Sequence, residues 1–182
     1  FRRYLKLLVS KPVLDPTGLM TRETQVLINP VGAFSEGGPR ADAGLTWRKQ
    51  TVDCYGPACG HGGSAFSGKD PTKPDRSGSY GARWVAKNIV AAGLAKKCTV
   101  EVSYVIGMPD PLSVTVDTFG TGKLSDDKLA GIVAREFDLS PAGIIESLDL
   151  RRPIYSDTAV FGHFGRPDIA FSWETLDKVA DL

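Results

Sequence analysis

The stretch GGSAFSGKDPTKPDRS, residues 62–77, concentrates residues that are suited to binding phosphate groups. Its glycines let a ligand approach the backbone closely, and Lys69, Lys73 and Arg76 place three cations within eight residues. From Gly63 to Lys69 the spacing is G-x-x-x-x-G-K, the pattern of a loop whose backbone N–H groups surround phosphate oxygens. A polyanion site is therefore one interpretation of the stretch, and a solvated turn is the other.

The residue after Lys69 disfavours a conventional nucleotide-hydrolysing loop. Such a loop needs Ser or Thr to hold Mg²⁺, whereas this chain has Asp70 followed by Pro71. The proline also prevents a helix from continuing directly out of the loop. An ordinary P-loop hydrolase is therefore not expected, although the cations still favour a site for some other polyanion.

Composition excludes several classes of protein. The 182 residues are 42% hydrophobic and 24% charged with a net charge of +1, which is typical of a globular protein. No global positive field indicates nucleic acid binding, and no segment has the roughly 20 apolar residues that span a bilayer. Three cysteines without a C-x-x-C pair, and two histidines, predict neither a zinc site nor a disulfide framework. We expect a cytoplasmic protein that binds neither nucleic acid nor membranes.

Hydrophobic periodicity predicts the elements that position this loop. In chain order they are a helix over 2–9 ended by Lys11-Pro12, strands over 24–29 and 47–55, a helix over 75–95, strands over 98–106 and 112–119, a helix from Ser125, a helix from Ser140-Pro141 to Leu148, and a helix over 172–182. The strands 98–106 and 112–119 alternate apolar and polar residues, so they predict an antiparallel hairpin. Helices on one face of a mostly antiparallel sheet would make a two-layer α+β fold.

Long strings of residues give the chain a family resemblance. AFSGKDPTK, VAKNIVAAGLA and GHFGR stand at residues 65–73, 85–95 and 162–166, and GGPRADAGLTWRK stands at 37–49. With them the sequence closely resembles the C-terminal portion of S-adenosylmethionine synthetase, also called methionine adenosyltransferase. The resemblance extends over nearly the whole chain and is strongest from about Glu23 onward.

The resemblance implies three similar α+β domains per subunit. Residues 1–36 would then be the end of the central domain, and residues 37–182 the C-terminal domain. It also implies a reaction in which the sulfur of methionine attacks C5′ of the ATP ribose, and the departing tripolyphosphate is cleaved to pyrophosphate and phosphate. Mg²⁺ and K⁺ would assist, and the active sites would lie between the subunits of a homo-oligomer.

The resemblance also implies roles for individual residues. ATP contacts are implied for Phe34, which would pack on adenine, and for Asp42, Arg48, Lys49, Ala65 and Lys69. Methionine contacts are implied for Asp42 and for Lys73, which would also lie near the phosphates, and Mg²⁺ binding is implied for Asp75. Catalysis would fall to Arg48, Lys49 and Lys69, because a polyphosphate leaving group must be neutralised as the C–O bond breaks.

The residues by themselves leave alternatives open for several of these roles. Asp75 is equally suited to be the N-cap of the helix over 75–95, with Ser77 as another candidate cap. Asp42 is also a common kind of turn residue. Arg48 and Lys49 are adjacent on a predicted strand, so they point to opposite faces unless the strand is bulged. His61 and His163 are expected to be structural.

The chain departs from the family pattern near the implied site. Trp47 and Ser64 stand where the family has glycine, Ala33 and Gly60 where it has arginine, and Glu36 where it has an apolar residue. The family's N-terminal glycine-histidine-proline-aspartate-lysine motif and glycine-rich hexapeptide do not occur in these 182 residues. The alternative to an enzyme is therefore a non-catalytic nucleotide- or polyphosphate-binding protein, or a regulatory subunit, of the same fold.

Overall fold

The computed structural model describes residues 1–33, 35–38, 40–41, 54–62 and 65–182. Within them, helices accompany a two-stranded antiparallel sheet, which makes the fold α+β as predicted. The chain divides into two compact units, Phe1–Ser35 with Ile106–Met108 and Glu36–Val105 with Pro109–Leu182. None of the helices in the described ranges has the combination of length and hydrophobicity that a bilayer-spanning helix requires.

The first unit begins with a helical segment whose geometry changes along its length. It consists of α1, Arg2–Leu5, a π-helical turn, Lys6–Ser10, α2, Lys11–Leu14, and a 3₁₀ turn, Asp15–Thr17. It ends at Gly18, whose φ of 68° is left-handed and therefore suits glycine. The Arg2 guanidinium donates hydrogen bonds to the backbone carbonyls of Asn29 and Pro30, which link the helix to the end of the unit.

Lys11-Pro12 does not end the first helix, so this part of the prediction is wrong. In a regular α-helix Pro12 would lack its N–H donor, and its ring would collide with the carbonyl one turn earlier. The π-helical turn that precedes α2 widens the helix at this point and accommodates the ring. The helical segment therefore continues to Thr17.

The strand predicted over residues 24–29 is also wrong. The stretch pairs with no strand in the described part of the chain. It ends in a turn in which the Gly32 N–H donates to the Asn29 carbonyl at 3.0 Å. Asn29 itself has a left-handed φ of 45°. High β propensity does not make a strand here, because strands are stabilised chiefly by side-chain pairs with a neighbouring strand.

The core of the second unit is built on α3, Pro74–Ala91, which confirms the predicted long helix. Its buried face carries large side chains: Tyr80, Trp84, Val85 and Ile89. The Tyr80 ring stacks on Trp173 with centroids 3.8 Å apart, and Trp84 meets Phe137 edge-on at 4.8 Å. These contacts bury one stripe of α3 against the rest of the unit.

The predicted hairpin is confirmed as β1, Thr99–Ser103, and β2, Ser113–Asp117. Its register places Val100 opposite Val116 and Val102 opposite Val114. Val116 is buried, and the other three valines pack against the core. The hairpin therefore buries one face, as its alternating sequence requires.

Two shorter helices, α4, Asp126–Glu136, and α5, Pro141–Ser147, begin where the sequence predicted. Ser140 caps α5, since its Oγ accepts a hydrogen bond from the Gly143 N–H at 3.0 Å. At the start of α4 the Ser125 side chain makes no such bond. There the Asp126 carboxylate accepts from the hydroxyl of Thr118 at 2.6 Å instead.

The helix predicted over residues 172–182 is wrong, because only a 3₁₀ turn, Ser172–Glu174, forms there. Side chains of α3 hold this segment instead. Asn88 donates to the Thr175 carbonyl at 3.1 Å and accepts from the Lys178 N–H at 2.9 Å. Arg83 binds the Glu174 carboxylate through two nitrogens at 2.9 and 3.0 Å. Backbone groups that a helix would use are thus committed to tertiary contacts.

Substituting Gly143 by alanine is expected to destabilise the protein. A Cβ on Gly143 would overlap the Asp138 carboxylate, which accepts a hydrogen bond from the Ser140 N–H at 2.9 Å. We expect a loss of about 1–3 kcal/mol in the free energy of unfolding, measured by urea denaturation.

Gly131 provides the matched control, because it is also helical but has nothing within 4 Å of an added Cβ. Gly131→Ala should raise the free energy of unfolding by about 0.5–1 kcal/mol. A loss of similar size in both variants would contradict the overlap at Gly143.

Candidate functional site

A tight turn connects the buried Phe66 to Lys69. The Lys69 N–H donates to the Phe66 carbonyl at 3.2 Å, and Gly68 between them has a φ of 82°. A residue without Cβ is favoured at such a position. Phe66 is anchored by the ring of His163, which it meets edge-on with centroids 4.9 Å apart. The turn thus directs Lys69 back toward the protein.

Lys69 and Asp75 form an ion pair across the start of α3. Lys69 Nζ lies 2.6 Å from Asp75 Oδ2, and the two side chains are 2% and 41% exposed, respectively. A buried ammonium group needs an anionic partner, because its lost hydration is otherwise not compensated. The structure therefore brings together the lysine implied to bind phosphate and the carboxylate implied to bind Mg²⁺.

Neither Asp75 nor Ser77 is the N-cap of α3, so that alternative is wrong. Lys73 occupies the cap position, and Asp75 lies within the first turn. A negative charge there interacts favourably with the positive end of the helix dipole. Its carboxylate binds Lys69 instead of capping the first N–H groups. The Ser77 hydroxyl donates to the carbonyl of Pro71.

Asp70, which replaces the hydroxyl residue of a hydrolase loop, is bound within the loop itself. Its carboxylate accepts from the Thr72 N–H at 2.9 Å and pairs with Lys73 Nζ at 2.6 Å. The hydrogen bonds from Lys73 and Thr72 lower the pKa of Asp70 to about 2. Lys73 also donates to the carbonyl of Arg40 at 3.4 Å. As expected from Pro71, no helix continues out of the turn, and α3 begins only at Pro74.

Arg76 holds the turn from inside the protein. Its buried guanidinium donates to the Lys69 carbonyl at 2.9 Å, to the Tyr80 hydroxyl at 3.1 Å and to the Thr158 hydroxyl at 3.1 Å. It also lies 4.1 Å from the centroid of the Tyr155 ring. Among the described residues, none of its partners is a carboxylate. The sequence predicted Arg76 as one of the cations of the loop, but not that its side chain is buried and holds the loop in place.

His163 lies in a buried hydrogen-bond network around Tyr80. The Tyr80 oxygen accepts a hydrogen bond from Arg76, and the Tyr80 hydroxyl makes a second hydrogen bond with His163 Nδ1 at 2.7 Å. Burial, and then the charge of Arg76, lower the pKa of His163 to about 4. His163 is thus a neutral structural residue, in agreement with the sequence interpretation.

One departure from the family pattern is compensated in the structure. Glu36, which adds a carboxylate near the implied site, pairs with Arg40 at 2.9 Å. The pair is largely exposed, so it offsets the local charge but contributes little to stability. Ala33 and Gly60 are exposed and bring no compensating cation of their own.

Of the site residues predicted from the sequence, the structure describes four: Ala65, Lys69, Lys73 and Asp75. Ala65 is buried beside Phe66 in the turn, and the other three make the two ion pairs. Phe34, Asp42, Arg48 and Lys49 lie outside the described residues, as do Trp47, Ser64 and most of the strand predicted over 47–55. Those predictions stand as predictions.

Asp75 could bind Mg²⁺ only together with a bound phosphate compound that supplies further oxygen atoms to the ion. The described residues contain no group of three or more His, Cys, Asp or Glu side chains that would enclose a metal ion. Mg²⁺ is commonly bound by one or two carboxylates together with substrate phosphates, and Asp75 presents one partly exposed carboxylate.

Comparisons with known proteins point in one direction. Residues 36–175 match the family model described as the S-adenosylmethionine synthetase C-terminal domain. A solved structure of an unusual S-adenosylmethionine synthetase from Campylobacter jejuni is 43% identical in sequence, with a TM-score of 0.71. The match covers 98% of this chain and 48% of that protein, so this chain spans about half of its length.

Replacing His163 by asparagine is expected to remove an acid-sensitive part of the stability. Asparagine keeps an acceptor for Tyr80 but cannot be protonated in this range. Folding lowers the pKa of His163 from 6.5 to about 4, so between these pH values the unfolded chain binds a proton that the folded protein does not. The free energy of unfolding therefore has its full value above pH 6.5 and decreases as the pH falls toward 4. Over that interval the wild type should lose about 3 kcal/mol more unfolding free energy than His163→Asn.

The comparison needs urea denaturation of both proteins at several pH values between those limits. His61→Asn is the control, since it makes the same replacement at the other histidine of the chain. The same acid-induced loss in His163→Asn and wild type would show that His163 is not the responsible group.

Proposed function

Because the chain belongs to the S-adenosylmethionine synthetase family, we propose that it supplies the C-terminal part of a methionine adenosyltransferase active site. The enzyme would form S-adenosylmethionine from ATP and methionine and release phosphate and pyrophosphate. The observation that carries this proposal is the set of cations Lys69, Lys73 and Arg76 organised around one glycine-containing turn.

These cations suit a leaving group that carries several negative charges. As the methionine sulfur attacks C5′, charge builds on the departing tripolyphosphate, and cations already in place stabilise it without reorganisation. Lys69 and Lys73 are held in position by carboxylates, each at 2.6 Å, before any ligand binds. Arg76, bound to neutral oxygens, keeps its positive charge uncompensated by a described carboxylate. The cluster therefore keeps a positive excess for phosphate oxygens.

Asp75 is the residue that would hold Mg²⁺ together with phosphate oxygens. When bound, the ion would supply further neutralisation of phosphate charge. Lys69 would then exchange its contact with Asp75 for a contact with phosphate, which keeps the buried ammonium group paired. We also propose that the reaction requires K⁺, because the family uses this ion, but none of these residues is assigned to bind it.

The remaining roles follow the family resemblance. Phe34 would pack on the adenine, Asp42 would contact ATP and methionine, and Arg48 and Lys49 would bind the phosphates. Ala65 would line the ATP site, and Lys73 would contact methionine.

The proposed organisation is that residues 1–36 end a central domain and residues 37–182 form the C-terminal domain. The family match that begins at residue 36 supports this division. The active sites would lie between subunits of a homo-oligomer in the cytoplasm, with no nucleic acid or membrane partner.

Product formation tests the proposal directly. The purified protein would be incubated with ATP, methionine, Mg²⁺ and K⁺, and S-adenosylmethionine measured by mass spectrometry. Product in proportion to protein supports the enzyme. If none forms while tripolyphosphate still binds and Lys69→Met weakens that binding, the chain is a ligand-binding part of the synthetase site that needs the rest of the enzyme, or it is the nucleotide- or polyphosphate-binding alternative. Absence of both product and binding rejects the two functions together.

Lys73→Met is expected to weaken tripolyphosphate binding about 10- to 100-fold, because a charge-assisted hydrogen bond contributes about 1.5–3 kcal/mol. Isothermal titration calorimetry measures the change. Lys178→Met is the matched control: Lys178 also pairs with an aspartate three residues away, Asp181, at 3.1 Å. An equal loss of affinity in both variants would mean that only net charge matters and that Lys73 does not line the site.

Asp75→Asn is expected to abolish the part of ATP affinity that depends on Mg²⁺. Each protein is compared with itself, in chelator and with Mg²⁺, because loss of the Lys69 partner also changes the affinity without metal. Added Mg²⁺ should tighten ATP binding only for the wild type. Asp70→Asn serves as control, since it removes a carboxylate of the same loop that is already held by Lys73 and Thr72. If Asp75→Asn responds to Mg²⁺ as the wild type does, Asp75 is not a ligand of the ion.

A further inference from the structure

The three cysteines of the chain have different neighbours. Cys54 Sγ lies 3.4 Å from Nε2 of His61. Cys59 Sγ lies 3.6 Å from the hydroxyl of Thr99. Cys98 Sγ points to the carbonyl of Ala86 at 3.7 Å. In the part of the chain that the structure describes, Cys54 is thus the cysteine whose sulfur contacts a side chain able to accept its proton.

The backbone between Cys54 and His61 explains how the two side chains meet. A 3₁₀ turn, Gly56–Ala58, reverses the chain, with Gly56 in the left-handed region at a φ of 59°. The Ala58 N–H closes the turn on the Tyr55 carbonyl at 3.3 Å. The His61 ring is positioned further by Phe66, with centroids 5.8 Å apart. The contact is therefore a product of ordered local structure.

Cys54 packs against the hydrophobic core, and the titratable groups that interact with it include Tyr55 and Tyr80. The guanidinium of Arg83 lies 5.6 Å from the centroid of the neighbouring Tyr55 ring. Burial raises the pKa of Tyr55 to about 12 and that of Tyr80 to about 12, so both phenols are neutral at physiological pH. Cys54 is a partly buried residue, so a small reagent can approach it. Cys98 differs, because burial raises the pKa of its thiol to about 11.

We propose that Cys54 is a nucleophilic thiol activated by His61 and modified by soft electrophiles, with hydroperoxides as the physiological class. A thiolate beside an imidazole that has taken its proton is the reactive form of cysteine in proteins. Neither Cys54 nor His61 takes part in the Lys69–Asp75 and Lys73–Asp70 pairs, and the proposed transferase chemistry assigns no role to them. The proposal therefore goes beyond the proposed function and does not depend on it.

The proposed modification needs only the Cys54 thiol, the His61 imidazole and the hydroperoxide. The Cys54 S–H proton passes to His61 Nε2, and the sulfur attacks the terminal oxygen of the hydroperoxide. An S–O bond forms as the O–O bond breaks, and the departing alkoxide takes the proton back from the His61 imidazolium. The sulfur is oxidised to a sulfenic acid and the hydroperoxide is reduced to an alcohol, or to water when the oxidant is hydrogen peroxide.

The first experiment compares the three cysteines within one native molecule. The full chain is exposed briefly to iodoacetamide at neutral pH, and the alkylated fraction at each cysteine is measured by peptide mass spectrometry. Cys54 should react about tenfold or more faster than Cys59, and Cys98 should be slowest. Equal or slower labelling of Cys54 relative to Cys59 overturns the proposal, and this comparison needs no variant.

Variants then test the role of His61. His61→Gln should lower the labelling rate of Cys54 to near that of Cys59, whereas Thr99→Val, which removes the neighbour of Cys59, should leave the Cys54 rate unchanged. A folded His61→Gln protein, judged by its circular dichroism spectrum, that labels Cys54 at the wild-type rate rejects His61 as the base. Hydrogen peroxide followed by dimedone should trap the sulfenic acid at Cys54, and its absence there would reject the hydroperoxide chemistry.

Discussion

A buried guanidinium, whose described hydrogen-bond partners are all neutral oxygens, organises the second unit. Arg76 joins the Lys69 turn, the first turns of α3 and the Thr158 hydroxyl through three hydrogen bonds. It also donates to the Tyr80 hydroxyl, which makes a hydrogen bond with His163 Nδ1. Without Arg76 the turn would lose the contact that holds the Lys69 backbone, and the pKa of His163 would be lowered by burial alone.

Local sequence signals predicted the elements that are stabilised locally. The periodicity of α3, the alternation of β1 and β2, and Ser140-Pro141 at the start of α5 each describe a segment whose own residues favour its structure. The predictions failed where residues distant in sequence, or an unusual helical turn, determine the local structure. Asn88 and Arg83 hold residues 174–178 away from a helix, and a π-helical turn allows α2 to contain Pro12 in its first turn. Neither effect is visible in a short window of sequence.

The site shows the same division. The sequence identified the lysines, carboxylates and glycines of the loop, since their types and spacing reflect phosphate chemistry. It did not predict that Lys69 pairs with Asp75 and Lys73 with Asp70, because pairing depends on where the turn and α3 place each charge. The burial of Arg76 was detectable: it lies one helical turn before Tyr80, on the apolar face of α3.

The last part of the core is contributed by residues far along the chain. Trp173 is buried against Tyr80, and the indole of Trp84 donates to Asp177 across a sequence separation of 93 residues. During synthesis on the ribosome, α3 therefore emerges long before the residues that cover it. Its aromatic face stays exposed for that time, which is the condition in which nascent chains bind chaperones or aggregate. The order of translation thus makes the C-terminal segment the step that completes folding of this unit.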